Sequence, residues 1–466
     1  MTGRFGFRGI PVWGILATAL FLGYFAACSR GSGEPPSVIL ISIDTARVDR
    51  LGLYGNPRPT SPYLDAIGRR GLVFDQAVTV TENTLISHAS LFTGLFPAAH
   101  GTTYEDGGVP LNSAYVTLAE DFLESGLYQT AGFAAHGTWL CEKFGMDQGF
   151  QVFQTGFRSA DVVIEEAETW LKDRRDPDKP FFLFIHLFDP HSDFDGRPYQ
   201  APEPFHGRWT SGYQGRFTDW EERTPNGSLF LVAVTEGRIR ITPEEAEHFR
   251  DQYDEGLAYT DDRLGRFLEK HGRDENLFVV ITSDHGEEFL EHGYMLHSSL
   301  YDPVVRIPLI IVPPPHLERR YGVPRRLREQ VRIVDLRPTI LDMAGLPPPE
   351  ACQGVSLNSW LTGRDKICPA GPAPFYHTAV RWDGFKLYET RQGPALFDLT
   401  ADPGEQVNLH GLPEHQVRID RMNAFLRRQV KQDLEVRAVF RDSSRDPQSP
   451  MDARDLDRLR SLGYIK

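Results

Sequence analysis

Leu277-Phe278-Val279-Val280-Ile281-Thr282-Ser283-Asp284-His285-Gly286-Glu287 is an apolar run that stops abruptly at an acid and an imidazole. A short unbroken apolar run reads as a strand buried on both faces, the pattern of a parallel sheet. Two further stretches repeat it: Ser37-Val38-Ile39-Leu40-Ile41-Ser42-Ile43-Asp44-Thr45, and Phe181-Phe182-Leu183-Phe184-Ile185-His186-Leu187-Phe188-Asp189-Pro190-His191. Open α/β sheets place ligands at the carboxyl ends of their strands. Asp44, Asp189, His191, Asp284 and His285 therefore stand where chemistry is expected.

Between the first two strands lies Asn83-Thr84-Leu85-Ile86-Ser87-His88-Ala89-Ser90-Leu91-Phe92-Thr93-Gly94. Its spacing, from Thr84 through Ser87 and His88 to Thr93-Gly94, resembles the sulfatase nucleophile segment, Cys/Ser-x-Pro-Ser-Arg-x-x-x-x-Thr-Gly. Asp284-His285-Gly286 is similar to that family's metal signature. His297, followed by Leu300-Tyr301-Asp302-Pro303-Val304-Val305-Arg306-Ile307-Pro308-Leu309, resembles its last core segment. The resemblance runs in the family's order over nearly all of the chain beyond the N-terminal segment. It implies a sulfatase/alkaline-phosphatase-like α/β fold: a large mixed, mostly parallel sheet flanked by helices, plus a small C-terminal antiparallel sheet.

The same resemblance implies a nucleophile and a metal. Transfer of a sulfuryl or phosphoryl group gathers negative charge on its oxygens. A divalent cation stabilises that charge and lowers the pKa of a bound hydroxyl. Asp44, Thr84, Asp284 and His285 match one metal site of Thr-nucleophile relatives. Asp189, His191 and His297 match the composition of the second site in two-metal members. Alternatively, His191 and His297 contact the ester's oxygens directly. The cofactor expected is one or two divalent ions, Ca²⁺, Mg²⁺, Mn²⁺ or Zn²⁺; oxygen ligands suit the hard ions and added His favours zinc. Thr84 is the candidate nucleophile, with His88, His191 and His297 as further catalytic candidates.

The departures from the family pattern narrow the chemistry. Thr84 offers no Cys or Ser to oxidise, so formylglycine is excluded. Thr45 replaces the second of two adjacent Asp residues. Ala135-His136-Gly137-Thr138-Trp139-Leu140-Cys141 stands where many sulfatases carry Gly-Lys-Trp-His, without the Lys; His136 reads either as a substitute for it or, as a loop His at such a turn more often is, as structural. His88 replaces the Arg and either orients Thr84 or packs. These losses weaken the case for arylsulfatase activity and leave the Asp–Thr–Asp–His core intact. The expected function is cleavage of a sulfate or phosphate ester through Thr84. The alternatives are a phosphodiesterase or a phosphoglycerol- or phosphoethanolamine-type transferase, and a non-catalytic sulfatase-like lipoprotein. Such transferases usually carry several membrane spans, and this sequence offers at most one.

That one candidate is the apolar stretch from Ile10 to Ala27, preceded by Arg4 and Arg8 and followed by Cys28. It reads as a signal peptide, with Ala26-Ala27-Cys28 resembling a lipoprotein cleavage site. At about eighteen residues it also admits a single membrane anchor. Both readings export the rest to the periplasmic side of a bacterial envelope. The expected organisation is residues 1–27 as leader or anchor, 28–36 as tether, 37–345 as catalytic domain, 346–440 as C-terminal subdomain and 441–466 as charged tail. Removing Arg4 and Arg8 with the leader takes the net charge from −14 to −16. That sign disfavours nucleic acid as a partner, leaving a small-molecule, glycan or lipid ester as substrate. Cys352 and Cys368 are spaced to pair in an oxidising compartment. His191 to Arg240 lacks periodicity and reads as a substrate-selecting wall. Thr242-Pro243-Glu244-Glu245 predicts a helix start, and Asp402 to Asn408 reads as a turn.

Overall fold

Ser42, His186 and Thr282 stand level across three neighbouring strands, and this alignment sets the architecture. The computed structural model describes residues 34–104, 107–192, 199, 201–217, 227–272, 274–376 and 378–440. The leader, Cys28, most of the tether and the charged tail lie outside the described residues. The strands are β1 (Ser37–Ile43), β2 (Leu72–Val78), β3 (Gln129–Ala134), β4 (Val152–Thr155), β5 (Phe181–Leu187) and β6 (Leu277–Thr282). There follow a short hairpin, β7 (Glu288–Phe289) with β8 (Met295–Leu296), and then β9 (Leu309–Val312) and β10 (Arg325–Arg332). Eight of them form one sheet in the order β10-β2-β9-β6-β1-β5-β3-β4. Every neighbouring pair in it is parallel except the two made by β9.

The period of two along a strand divides the core into two layers. Val38, Leu40, Phe182, Phe184, Phe278 and Val280 face one side, where they pack with Leu85, Ala89 and Phe92 of the helix Thr84–Thr93. Ile39, Ile41, Leu183, Ile185, Val279 and Ile281 face the other, against Phe249, Tyr253, Leu257 and Leu264 of the helix Pro243–His271. This long helix begins where the sequence places it. Thr242 Oγ1 accepts from Glu245 N at 3.2 Å, and Glu245 Oε2 accepts from Thr242 N at 2.7 Å. Such a reciprocal cap satisfies two donors that the first turn leaves without partners. Deleting one of the ring side chains at the centre, Phe92 or Phe184 (centroids 5.0 Å apart), would cost about 3–5 kcal/mol.

Part of the aperiodic segment is held against the long helix. The buried Glu255 carboxylate accepts from Gly207 N (3.1 Å), Trp209 N (2.7 Å), Thr210 N (3.0 Å) and Thr210 Oγ1 (3.0 Å). The small sheet of the C-terminal part is antiparallel, as expected: β11 (Ala373–Phe375), β12 (Ala379–Trp382), β13 (Phe385–Thr390) and β14 (Gly393–Asp398). One face packs on Val78, Val304 and Val305, the other on Ile419, Met422 and Leu426 of the helix Gln416–Phe440. Residues 402–408 form a turn, in which Asp402 Oδ2 accepts from Val407 N at 2.8 Å. Cys352 and Cys368 do not pair. The Cys352 thiol faces Gly94 O at 3.4 Å and the Cys368 thiol faces Gln330 O at 3.9 Å.

A buried ion cluster joins the small sheet to the segment leading into β9. Lys386 Nζ, fully buried, forms ion pairs with Asp302 Oδ1 (2.7 Å) and Glu405 Oε1 (2.8 Å) and donates to Leu300 O (3.0 Å). Lys386→Met removes the cation and leaves both acids without it, so unfolding in urea should show a loss of about 3–5 kcal/mol. A loss below about 1 kcal/mol would mean that the two carboxylates are solvated in the native state.

Candidate active site

Five polar side chains meet at the carboxyl ends of β1, β5 and β6, and each arrives for a local reason. Asp44 is the first residue after β1, its amide bonded to Leu187 O at 2.8 Å. Asp284 and His285 follow β6. Asp284 Oδ1 accepts from His285 N (2.9 Å) and from Thr45 N (3.3 Å), which fixes its carboxylate plane. Thr84 opens its helix directly after Asn83, whose side chain caps the amides of Leu85 and Ile86 at 3.1 and 3.3 Å. His186 is the sixth residue of β5, on the face turned towards that helix.

The Thr84 hydroxyl sits between two of them, 3.5 Å from Asp44 Oδ2 and 3.3 Å from His285 Nε2. His285 Nε2 lies 3.4 Å from Asp284 Oδ2, and His186 Nε2 lies 3.2 Å from Asp44 Oδ2. All five residues are buried. The tautomer of His285 follows from its second nitrogen. Nδ1 lies 3.0 Å from Gly286 O, which can only accept, so Nδ1 carries the proton and the Nε2 lone pair faces Thr84.

Asp284 shows which electrostatic effect wins. Burial pushes its carboxyl up, but the imidazoles of His285, His88 and His186 outweigh burial and hold it at about 2. It is an anion at neutral pH, yet Oδ2 is buried and accepts no hydrogen bond. A buried anionic oxygen of this kind fits a cation ligand. Asp44, Asp284 and His285 each offer an atom within 4.8 Å of the others, as do His88, His186 and Asp284. The donor set suits a divalent ion, which Asp44, Asp284 and His285 would hold with the Thr84 hydroxyl beside them.

His88 reaches the Thr84 backbone and not its hydroxyl. Its Nδ1 donates to Thr84 O at 2.8 Å, and its Nε2 meets Ser42 Oγ at 3.0 Å. Burial lowers its pKa to about 4, so it is neutral here. His297 is adjacent, its ring 4.4 Å from that of His285 and its Nδ1 3.3 Å from Glu287 Oε1. His191 lies next in line, 5.1 Å from the His297 ring and stacked on Phe188 at 4.4 Å. His136 Nδ1 accepts from Thr138 N at 3.3 Å, closing its own loop.

Asp189 is not brought to the cluster. Both carboxylate oxygens accept from Ala160 N, at 3.2 and 3.0 Å, at the start of the helix Ala160–Thr169. That helix lacks a capping bond from its own N-cap residue, Ser159, and Asp189 supplies one from outside. Among the described residues, Asp189, His191 and His297 do not form a metal-sized group. His186 is the residue that sequence reasoning missed. The available signal was an imidazole inside an otherwise apolar strand, at the same parity as Phe182 and Phe184.

The chain matches the sulfatase family model over residues 36–346 and an N-sulphoglucosamine sulphohydrolase C-terminal model over residues 290–432. An arylsulfatase of Clostridium perfringens is 26% identical over 85% of this chain and 94% of its own length. An N-acetylglucosamine-6-O-sulfatase of Bacteroides thetaiotaomicron is 24% identical over 89% of each chain. Among solved structures, the phosphonate monoester hydrolase of Agrobacterium radiobacter superposes with a TM-score of 0.65 at 21% identity. That superposition covers 87% of this chain and 96% of the other.

The role of Asp189 can be tested apart from catalysis. Asp189→Ala removes a helix cap and should cost about 0.5–2 kcal/mol of stability in urea unfolding, with bound metal per chain unchanged. Loss of metal in that variant would return Asp189 to the ligand set.

Proposed function

The chain belongs to the sulfatase family of ester hydrolases, and we propose that it cleaves a sulfate or phosphate ester with Thr84 as nucleophile. The observation that carries this reading is the Thr84 hydroxyl, 3.5 Å from Asp44 Oδ2 and 3.3 Å from His285 Nε2. A divalent cation bound by Asp44, Thr84, Asp284 and His285 would lower the pKa of that hydroxyl and offset charge on the ester's oxygens. Thr84 Oγ1 attacks sulfur or phosphorus in line as the ester's alcohol departs. The resulting threonyl ester is resolved by water or by an acceptor alcohol. His191 and His297 bind the ester's oxygens or give the departing alcohol its proton. His88, through its bond to Thr84 O, keeps the first turn of the helix fixed under the nucleophile.

The substrate is a small-molecule, glycan or lipid ester. With no Arg at 88 and no Lys in the Ala135–Cys141 loop, few permanent cations face the ester's oxygens, and sulfate esters depend on such groups. We therefore rank phosphodiester or phosphonate substrates at or above aryl sulfates. The site's location in the cell is a further part of the proposal: export, with a tether at the periplasmic face of a bacterial envelope through lipid on Cys28 or through the preceding apolar stretch. No helix among the described residues is long and apolar enough to cross a membrane.

Kinetics of nucleophile variants test the mechanism. Thr84→Ala should lower kcat at least about a thousandfold, whereas Thr84→Ser keeps substantial activity because the hydroxyl remains. Activity that survives Thr84→Ala would overturn the reading. A panel of aryl sulfates, phosphodiesters and phosphonates tests the ranking, and a clear preference for sulfate esters would reverse it. Inertness of wild type and Thr84→Ser towards all of them would favour a non-catalytic binding protein.

Labelling with palmitate tests the tether. Cys28 should carry the label, and Cys28→Ala should release or misprocess the protein with the catalytic rate intact. Retention of residues 1–27 in the finished protein would replace lipid with a single-span anchor.

A further inference from the structure

We propose that His292 is a positioning residue for His297: as an imidazolium it bridges Glu288 and Gly404 O, and that bridge holds the hairpin from which His297 emerges. The inference rests on the part given to His297 above. His297 follows Leu296, the last residue of β8, and Leu296 has a φ of 66°, in the left-handed region that a branched side chain rarely adopts. Such a bend persists only where its surroundings hold it.

The holding contacts converge on Glu288, the first residue of β7 and the ladder partner of Leu296. Its carboxylate is fully buried and is reached from two sides. Ser299 Oγ, two residues beyond His297, donates to Oε2 at 2.5 Å. His292 Nδ1, from the loop between the two strands, lies 2.6 Å from Oε1. The other nitrogen of that ring, Nε2, lies 3.0 Å from Gly404 O in the turn after β14. The ring itself is stacked on Tyr301, with centroids 3.7 Å apart and planes within 4°. Glu288 thus spans both ends of the segment that carries His297, and His292 anchors it to the C-terminal turn.

Proton counting sets the state of the ring. A neutral imidazole carries one N–H. Gly404 O only accepts, so Nε2 spends that proton on it. Nδ1 and Glu288 Oε1 then need another proton between them, or a lone pair would face a carboxylate oxygen at 2.6 Å. Burial lowers the pKa of His292, but Glu288, Gly404 O and Glu405 outweigh it and raise it. The other charged groups bordering the cleft beside it are engaged: Arg47 with Asp49 and Glu291, Asp302 with Lys386 and Arg381, and Arg306 with Asp75 O. Tyr301, pushed up to about 12 by burial, stays neutral. A raised histidine adds stability that is complete below about 6.5 and lost as pH climbs through the folded value. Rising pH therefore opens the bridge and frees the hairpin.

Nuclear magnetic resonance of the full chain with ¹⁵N-labelled histidine tests this. At pH 7 the His292 ring, identified by its loss in His292→Gln, should carry protons on both nitrogens. The His297 ring should shift in His292→Gln, and in wild type as His292 gives up its proton. Ser299→Ala, which frees the other oxygen of Glu288, is a second variant and should shift His297 too; circular dichroism checks that both fold. In urea, wild type should lose more stability between pH 6 and pH 9 than His292→Gln. With aryl esters of graded leaving-group pKa, both variants should lower kcat about tenfold or more for poor leaving groups and far less for good ones. A single protonated nitrogen at pH 7, a His297 ring unmoved in both folded variants, the same pH dependence of unfolding in wild type and His292→Gln, or an equal loss of kcat across the series would overturn the assignment. Failure of the Thr84 mechanism reads out separately, as activity retained in Thr84→Ala with the histidine spectra as expected.

Discussion

A parallel strand carries its side chains with a period of two, and three adjacent strands in fixed register must carry them in step. Ser42, His186 and Thr282 are level with one another, so the residues after them emerge at one height. Sliding β5 by one position would exchange its two faces, sending His186 into the layer under the long helix and a bulky isoleucine or leucine towards Thr84. The apolar layers exclude that slip, because Phe182 and Phe184 on one side and Leu183 and Ile185 on the other would both be misplaced. The packing energy of the core thus fixes the position of polar atoms that contribute little to it.

Strand ends that carry an acid or imidazole after an unbroken apolar run are legible in sequence, because no packing role explains them. Asp44, Asp284 and His285 were readable in this way, and Thr84 through the spacing of its segment. The start of the long helix was readable because a capping box is a local chemical pattern. His186 was not, since a polar residue within an apolar run gains meaning only once the neighbouring helix shows which face it shares. Asp189 shows the opposite case. It stands at a strand end, but its carboxylate answers a helix terminus some thirty residues earlier, a partner that only the tertiary structure supplies.

Substitution of histidine for arginine at position 88 alters the charge of the site more than its shape. A guanidinium is always charged and donates in a fixed fork. A buried imidazole at about 4 is neutral at pH 7, and here it is occupied with Thr84 O and Ser42 Oγ. At neutral pH the ring at 88 therefore brings no positive charge to set against Asp44 and Asp284.

The lysine at the centre of the small sheet has a bearing on modularity. Its two carboxylates come from Asp302, ahead of β9, and from Glu405, beyond β14. A chain cut between Gly345 and β11 would leave Asp302 on one piece and Lys386 with Glu405 on the other. Exchange of the small sheet as a cassette would keep this pairing only where the recipient supplies an acid at the place of Asp302. Recombination preserves the cluster where an acid at 302 and a lysine at 386 stay together, which ties change in one region to change in the other.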